Sequence, residues 1–396
     1  MYTVAFAPKV GGVETAVRFL AEQLATKATP EWDLVVVART PGGEFPDHTL
    51  PFPVVRTPSM RRLWQLIGQA DLIHLDGPTL LPLIMALVQR KRVVVRHHGY
   101  QAACPTGLLL YEPTKTPCPG HFMARRYHRC LACNLAVGGP VASVRSLLLT
   151  FPRRLACKLV RTNIHNSNYV RRMLQLPRSR VVYYGVRWSG GEGMERPRSA
   201  VAANVQTPPP DGAENARPTF AYVGRLVSEK GLAILLEATH KLKARGIKCQ
   251  VKLIGDGPER ERLEQLTAAY GLDDHVTFVG FKTGDDFARE LRDVQAVIMP
   301  SVWPETGGLA AVEQMMAGRL VIVSDTGGMS EYVGPAGLKC PAFDAEALAR
   351  CMQLAVEDPA LVARLVAEAR ERAMTHFAPD VTLRDNLDVF RHAVYS

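Results

Sequence analysis

Long uncharged apolar runs are missing from the 396-residue sequence. A bilayer-crossing helix needs about 18 or more apolar residues in a row, and the stretch Leu80–Val88 is too short and runs directly into basic residues. The charged-then-apolar pattern of a secretory signal is also missing, because the N-terminus reads directly as a strand over Tyr2–Ala7. These absences predict a cytoplasmic protein without a spanning segment.

Acidic residues are scarce in the first half of the chain, where Glu112 is the only one between Asp76 and Trp188. Residues 1–190 hold 25 Lys and Arg against 9 Asp and Glu, whereas the remainder holds 23 basic and 29 acidic residues. The net charge of +10 therefore combines a basic half with an acidic half. This asymmetry predicts an anionic partner for the first half: a phosphorylated ligand, an anionic membrane surface or nucleic acid. A charged surface that only maintains solubility is the alternative.

Short apolar runs alternate with helical patterns in both halves, which is typical of α/β domains with parallel sheets. A stretch rich in Gly and Pro interrupts this alternation, and the length of the chain also favours two domains. We predict two α/β domains with a cleft between them. The predicted boundaries are 1–187 for the N-terminal domain with a cysteine-rich insert at about 99–140, 188–217 for a linker, 218–375 for the C-terminal domain, and 376–396 for a helix that packs back toward the first domain.

Neither the G-x-G-x-x-G dinucleotide fingerprint nor a Walker A motif is present. The first strand leads instead into Gly11 and Gly12, which precede a helical pattern. Glycines let a backbone approach a ligand closely, and the start of a helix favours an anion. A plain tight turn explains the glycine pair equally well.

Two cations, Arg225 and Lys230, follow the predicted strand Thr219–Val223 on the loop that opens the next helix. Ligands of open α/β sheets bind beyond the carboxyl ends of the strands. Two cations and helix-start amides at that place can hold a diphosphate and stabilise its charge as it departs. Solvated surface charges are the alternative interpretation.

Two glutamates eight residues apart, Glu305 and Glu313, form the most specific pattern of the sequence. Glu305 lies in a loop after a predicted strand, and Glu313 lies about one turn into the following helix. Carboxylates accept hydrogen bonds from sugar and ribose hydroxyls strongly. Backbone amides at the start of this helix can face phosphate or sugar oxygens; they belong to Gly307, Gly308 and Leu309.

In order and spacing, these motifs resemble those of glycosyltransferase family four, which has the two-domain B-type (glycogen-phosphorylase-like) architecture. The resemblance covers nearly the whole chain and is strongest from Phe220 to Pro341. The elements that carry it are the opening Gly-Gly loop, Val223-Gly224-Arg225-Leu226, Glu229-Lys230-Gly231, Ile254-Gly255-Asp256-Gly257-Pro258, Val279-Gly280-Phe281, the Glu305/Glu313 pair, and Asp325-Thr326-Gly327-Gly328 followed by Glu331.

The resemblance implies a GT-B architecture, in which two Rossmann-like domains with parallel sheets face a central cleft. It also implies retaining transfer of a sugar from a UDP- or GDP-linked donor to an acceptor, with no metal cofactor required for catalysis. The basic half favours a phosphorylated or lipid-linked acceptor, such as a cell-surface glycan precursor, and peripheral contact with the inner face of a membrane.

The same resemblance implies roles for individual residues. Arg225 and Lys230 would bind the donor diphosphate, Glu313 the ribose, and Glu305 the donor sugar near the reacting centre. His98 would be the catalytic histidine of the N-terminal domain, and the adjacent His97 is the alternative. The other predicted donor-binding residues are Gly11, Gly12, Gly307, Gly308, Leu309 and Phe281.

Four of the eight cysteines lie close together in the sequence, in what reads as a loop after the strand that carries His98. Four thiolates can form a closed tetrahedral zinc site, which would stabilise an insert with little core of its own. Reduced cysteines in a packed loop are the alternative. The candidate ligands are Cys104, Cys118, Cys130 and Cys133.

Two other functions remain open at this point. A nucleotide-sugar epimerase of the same architecture would need no acceptor. A non-enzymatic protein could bind an anionic membrane or nucleic acid through Arg125, Arg126 and Arg129, which lie beside aromatic residues. Nucleic acid is the less favoured partner, because the phosphate-binding loops of the C-terminal half would then have no role.

Overall fold

The computed structural model describes residues 1–9, 11–186 and 217–395. The chain divides into two compact units, the first comprising Met1–Arg187 and His376–Ser396 and the second comprising Trp188–Thr375. Apart from residue 217, the predicted linker at 188–217 lies outside the described residues. No helix in the described ranges combines the length and the hydropathy that a bilayer-crossing segment needs.

The first unit is built on a parallel sheet of seven strands in the order β3-β2-β1-β4-β5-β8-β9. A separate antiparallel pair, β6 and β7, lies in the predicted cysteine-rich insert. The strands are β1 (Tyr2–Thr3), β2 (Val36–Ala38), β3 (Val54–Arg56), β4 (Leu72–Asp76), β5 (Arg92–His97), β6 (Leu110–Tyr111), β7 (Thr116–Pro117), β8 (Thr162–His165) and β9 (Ser179–Val181).

Among the described residues of the first unit, six α-helices precede the second unit in the chain. Through α2, α3 and α5 the chain moves along the sheet toward β9, and through α1 it moves toward β3. Because crossovers between parallel strands are right-handed, α2, α3 and α5 lie on one face of the sheet and α1 lies on the other. The helices are α1 (Gly12–Lys27), α2 (Met60–Gln69), α3 (Leu80–Val88), α4 (Tyr127–Leu135), α5 (Pro140–Leu159) and α6 (Asn168–Leu174).

The second unit is a parallel sheet of six strands in the order β12-β11-β10-β13-β14-β15. Its strands are β10 (Thr219–Val223), β11 (Gln250–Ile254), β12 (Val276–Gly280), β13 (Val294–Met299), β14 (Leu320–Ser324) and β15 (Leu338–Cys340). Its helices are α7 (Leu232–Ala244), α8 (Arg260–Ala269), α9 (Gly284–Glu290), α10 (Leu309–Met316), α11 (Gly327–Val333), α12 (Ala345–Glu357) and α13 (Pro359–His376).

The last helix, α14 (Pro379–Tyr395), belongs to the first unit. It packs against α1 and against strands β4 and β5, and its Phe390 and Leu383 join a buried cluster with Val94 and Ile164. The apolar residues of α14 recur at helical spacing, so one face of the helix covers the sheet.

The first predicted strand is longer than the observed one. The strand expected over Tyr2–Ala7 ends at Thr3, because the hydroxyl of Thr3 bonds to the backbone of Ala5 and the amide of Phe6 donates to the Thr40 hydroxyl instead of to a neighbouring strand.

Candidate active site

The carboxyl edge of the second sheet has a topological switch point between β10 and β13. From β10 the chain crosses through α7 to β11 on one side, and from β13 it crosses through α10 to β14 on the other side. Open α/β sheets bind ligands in the crevice where the strand order reverses. The loops that leave these two strands carry Arg225, Lys230 and Glu305.

Lys230 and Glu305 are in direct contact, although they are 75 residues apart in the chain. The ammonium group of Lys230 donates to Oε1 of Glu305 over 2.9 Å, and the hydroxyl of Ser301 hydrogen-bonds to the same carboxylate oxygen. Both partners stay partly accessible to solvent. Arg225, on the same loop as Lys230, is exposed. A ligand can therefore reach two cations and one carboxylate at the switch point.

A close approach of two backbones fixes the position of Lys230. The next residue, Gly231, has a φ of +70°, and a Cβ added there would lie 2.0 Å from the carbonyl oxygen of Pro300. The amide of Val302 donates to the carbonyl of Glu229 over 3.0 Å. Because only glycine tolerates both the left-handed conformation and this contact, the loop after β10 lies tightly against the end of β13.

The loop that carries Glu305 is also fixed on its other side. Gly327 begins α11 with a φ of +70°, and an added Cβ would lie 2.6 Å from the backbone nitrogen of Glu305. The amide of Gly328 donates to the carbonyl of Glu305. The backbone of the predicted pair Gly327 and Gly328 thus positions the loop that carries Glu305.

Glu313 lies in the second turn of α10, which starts at Leu309 after an N-cap at Gly308. Gly307 precedes that cap. As at the start of any α-helix, the first backbone N–H groups of α10 have no acceptor within the helix itself. The Glu313 side chain is exposed, yet desolvation by the surrounding protein raises the pKa of its carboxyl above the ordinary value. A carboxylate that is accessible but poorly hydrated favours hydrogen bonds from ligand hydroxyls.

Phe281 follows β12 directly and is 66% exposed. An aromatic ring of this size is usually at least half buried in a folded domain, so its exposure beyond the carboxyl end of a strand agrees with a ligand-facing position.

In the first unit, His98 lies at the carboxyl end of β5 and contacts two side chains. Its Nε2 lies 3.1 Å from Oδ1 of Asp76, and its Nδ1 hydrogen-bonds to the hydroxyl of Tyr184. Burial alone would raise the pKa of Asp76. The neighbouring His74 and His98 outweigh burial and hold that pKa below its ordinary value, so Asp76 is a carboxylate.

His97 is fully buried and faces the core. Its Nε2 hydrogen-bonds to the side chain of Asn163 over 2.9 Å, and its ring stacks on that of His165. Desolvation lowers the pKa of His97 to about 4, so the ring is neutral near pH 7. Of the two adjacent histidines, His98 is therefore the less buried.

The predicted Gly-Gly pair of the first unit lies at the start of α1. Gly11 is the N-cap, in an extended conformation, and Gly12 is the first helical residue. The preceding Val10 lies outside the described residues. The pair is placed as expected for a helix-start loop.

Three of these contacts involve residues that the sequence patterns had not indicated: Asp76, Tyr184 and Ser301. Asp76 ends β4, the neighbour of the strand that leads to His98. Polar residues at the carboxyl ends of adjacent parallel strands meet at one edge, so the position of Asp76 was a usable signal. Ser301, just beyond the carboxyl end of β13, carries the same signal, whereas Tyr184 does not.

The four clustered cysteines line one small cavity together with His121. Cys130 and Cys133 lie on α4, not in a loop as expected, and burial raises the pKa of the Cys118 thiol. Among the described residues, no three or more His, Cys, Asp or Glu side chains are arranged to hold a metal ion. The zinc site stays a prediction.

Comparisons with known proteins place this geometry in a known fold. Residues 207–372 match the family described as glycosyl transferases group 1. Over 98% of both chains, the fold is similar to that of HepE from Anabaena, solved in complex with UDP, with a TM-score of 0.71 at 18% identity. Sucrose-phosphate synthase from Thermosynechococcus elongatus gives a TM-score of 0.67 at 22% identity over 99% of this chain and 98% of that chain. The chain thus has the two-domain α/β fold of the GT-B glycosyltransferases, as predicted.

Curated relatives match in sequence over less than half of the chain. Alpha-D-kanosaminyltransferase from Streptomyces kanamyceticus is 34% identical over 165 residues, which are 41% of this chain and 40% of that protein. Phosphatidyl-myo-inositol mannosyltransferase from Mycolicibacterium smegmatis is 33% identical over 187 residues, 46% of this chain and 48% of that protein. The matched part is thus less than half of either relative. These similarities support a glycosyltransferase and do not favour the epimerase or the non-enzymatic alternative.

Proposed function

We propose that this chain is a retaining glycosyltransferase of family four that transfers a sugar from a nucleotide-diphosphate sugar to an acceptor. The observation that carries this proposal is the contact between Lys230 and Glu305 at the switch point, beside the exposed Arg225. All three residues lie within the part of the chain that matches the glycosyl transferases group 1 family. The UDP in the HepE structure supports a nucleotide diphosphate as the ligand.

The two cations would act on the leaving group. When the bond between sugar and diphosphate breaks, negative charge increases on the phosphate oxygens, and Arg225 and Lys230 would stabilise it more in the transition state than in the ground state. Because Gly231 holds the loop against β13, the Lys230 ammonium group is positioned before the donor binds. Little reorganisation would then be needed during the reaction.

The two glutamates would orient the donor. Glu305, held by Lys230 and Ser301, would accept hydrogen bonds from hydroxyls of the donor sugar, and Glu313 from those of the ribose. Retention would follow from attack on the same face of the sugar as the departing diphosphate. His98, whose ring is oriented by the carboxylate of Asp76, would contact the acceptor substrate.

A phosphorylated or lipid-linked acceptor is the second part of the proposal. The basic first half of the chain favours an anionic acceptor. The relative from Mycolicibacterium smegmatis is named for phosphatidyl-myo-inositol, a lipid with an anionic headgroup. Synthesis of a cell-surface glycan at the inner face of a membrane would fit both facts.

Calorimetric titration of the whole chain with UDP, GDP, ADP and CMP tests the donor site. We expect one nucleotide to bind, with its affinity lowered roughly 100-fold or more in Arg225→Ala/Lys230→Ala, since each hydrogen bond to a charged group contributes about 1.5–3 kcal/mol. Arg350→Ala/Arg364→Ala removes the same charge from exposed positions on α12 and α13 and should bind like the parent chain. No binding of any nucleotide, or equal losses in both variants, would contradict the donor site.

The stereochemistry is tested with the donor that the titration identifies. Proton NMR of the anomeric centre of the glycosylated product should show the same configuration as in the donor. An inverted product would refute the retaining mechanism and leave the donor site itself intact.

A further inference from the structure

Helix α5 carries an apolar stripe on the side that faces solvent. Leu147 is the one large apolar residue among its buried residues, which are Ser143, Leu147, Thr150, Ala156 and Cys157. Its exposed residues recur at helical spacing along the opposite side and are mostly large and apolar: Val141, Val144, Leu148, Phe151, Leu155 and Leu159. Most large apolar residues of this surface helix therefore face solvent instead of the core, along 20 residues or about 30 Å of helix.

The neighbouring helices continue this apolar surface. Helix α3 packs against α5, and α2 packs against α3, so the three form one layer on the same face of the sheet. Leu81, Ile84 and Val88 are exposed along α3, and Met60 and Trp64 along α2. Single exposed apolar residues need no explanation, but a contiguous patch over three helices marks an interaction surface.

The charges around the patch indicate the chemistry of the partner that it would bind. Arg145 and Lys158 are exposed on the α5 stripe, and Arg61, Arg62 and Arg90 on or beside the other two helices. Helices α2, α3 and α5 contain no Asp or Glu. The helices on the opposite side of the sheet do carry acidic residues, at Glu14 and Glu22 in α1 and at Asp380, Asp385 and Asp388 in α14.

We propose that the outer faces of α2, α3 and α5 form a docking surface for an anionic lipid bilayer. The apolar stripe would lie in the plane of the interface with its side chains among the upper acyl chains, and the cations would contact lipid phosphates. A second copy of the chain fits less well, because a symmetric contact would bring the cations of both copies together with no carboxylate from these helices to pair with them. This proposal is independent of the sugar-transfer reaction.

The neighbouring α4 adds to the same surface charge. It packs against α5, and Arg125, Arg126 and Arg129 in and before it are exposed. The one acidic residue nearby, Glu112, is in an ion pair with Lys115. The positive field at this side of the unit is thus not neutralised locally.

Vesicle co-sedimentation of the whole chain tests the proposal. We expect binding to vesicles of phosphatidylglycerol and phosphatidylcholine, weaker binding to phosphatidylcholine alone, and a decrease with added salt. Leu148→Glu/Leu155→Glu should lower the partition coefficient about tenfold or more, because both leucines lie in the middle of the stripe. Arg145→Ala/Lys158→Ala should lower it by about fivefold per charge on the anionic vesicles only.

The control substitutes two exposed apolar residues outside the patch. Leu354→Glu/Met374→Glu places the same charges on α12 and α13 and should bind vesicles like the parent chain. Because all four substituted apolar residues are exposed, the urea midpoints of both variants should stay close to that of the parent chain.

Two results would overturn the proposal. One is a parent chain that does not bind anionic vesicles, or a Leu148→Glu/Leu155→Glu variant that binds them as well as the parent. The other is analytical ultracentrifugation without lipid that shows a dimer for the parent and a monomer for this variant, with vesicle binding unchanged. The second result would assign the patch to a second copy of the chain.

Discussion

Substitution of Gly231 by alanine should displace the loop that carries Lys230. The residue has a φ of +70°, and the added Cβ would lie 2.0 Å from the carbonyl oxygen of Pro300. The left-handed conformation costs an L-residue about 1–2 kcal/mol, and forcing a methyl group into packed surroundings costs about 1–3 kcal/mol more. We therefore expect Gly231→Ala to lower the free energy of unfolding by roughly 2–5 kcal/mol.

Gly246 provides a matched control at the end of α7. It also has a positive φ, +77°, but an added Cβ there would meet no atom within 4 Å. Gly246→Ala should therefore lose only the conformational contribution, about 1–2 kcal/mol. Urea denaturation gives both values, and hydrogen exchange of peptides from α7 and β13 should locate the additional loss in Gly231→Ala.

Nucleotide binding separates the two substitutions further. Because Lys230 precedes Gly231, movement of the loop would take the ammonium group away from Glu305, and the affinity for the donor nucleotide should fall about tenfold or more. Gly246→Ala should leave that affinity unchanged. Equal effects of the two substitutions on both stability and binding would refute the role assigned to the close approach at Pro300.

Other predictions follow from the same structure. Glu313→Ala should lower the affinity for the ribonucleotide about tenfold and that for its deoxyribose analogue much less; equal losses in calorimetry would remove the ribose role. His98→Ala should lower the rate of sugar transfer with little change in stability, whereas an unchanged rate would exclude it from the site. Because burial lowers the pKa of His97 to about 4, below its value of about 6.5 in the unfolded chain, the unfolded state takes up the proton first. The free energy of unfolding should therefore decrease as the pH falls from about 6.5 to 4, and a flat profile in urea titrations would contradict this. For the zinc prediction, mass spectrometry should find about one zinc per chain, lost in Cys130→Ser/Cys133→Ser; a metal-free chain with reactive thiols would refute it.

The strands and helices of the second unit could be predicted closely from the sequence. The strand at Thr219–Val223 has the predicted bounds, and Glu305 and Glu313 lie in the predicted loop and helix after β13. In a parallel sheet covered on both faces, strands are continuous apolar runs between polar loops, so local composition determines where they begin and end.

The ends of the strands in the first unit were predicted less well, because contacts with distant residues decide where these strands end. The chain continues in an apolar run to Ala7, yet β1 ends at Thr3 where side-chain hydrogen bonds replace the strand pairing. Strand β9 is fixed by its pairing with β8, in which His165 lies opposite Val181. Such pairings join residues that no local pattern connects.

The exposed apolar stripe of α5 could not be predicted from periodicity. A helical repeat of apolar residues normally indicates the face that packs on the core, and the stripe through Leu148 and Leu155 has that repeat. The tertiary structure instead buries Ser143 and Thr150, which bond to carbonyl groups of their own helix, and leaves the leucines exposed.

The sequence by itself determined which chemical groups are available: the two cations after β10, the paired glutamates, and a first half with far fewer acidic than basic residues. Only the tertiary structure decided their contacts. It brought Lys230 to Glu305 across 75 residues, and it turned His98 toward Asp76 while burying His97. The physical reason is that a parallel sheet gathers the ends of distant strands at one edge, and alternate residues of a strand point to opposite faces.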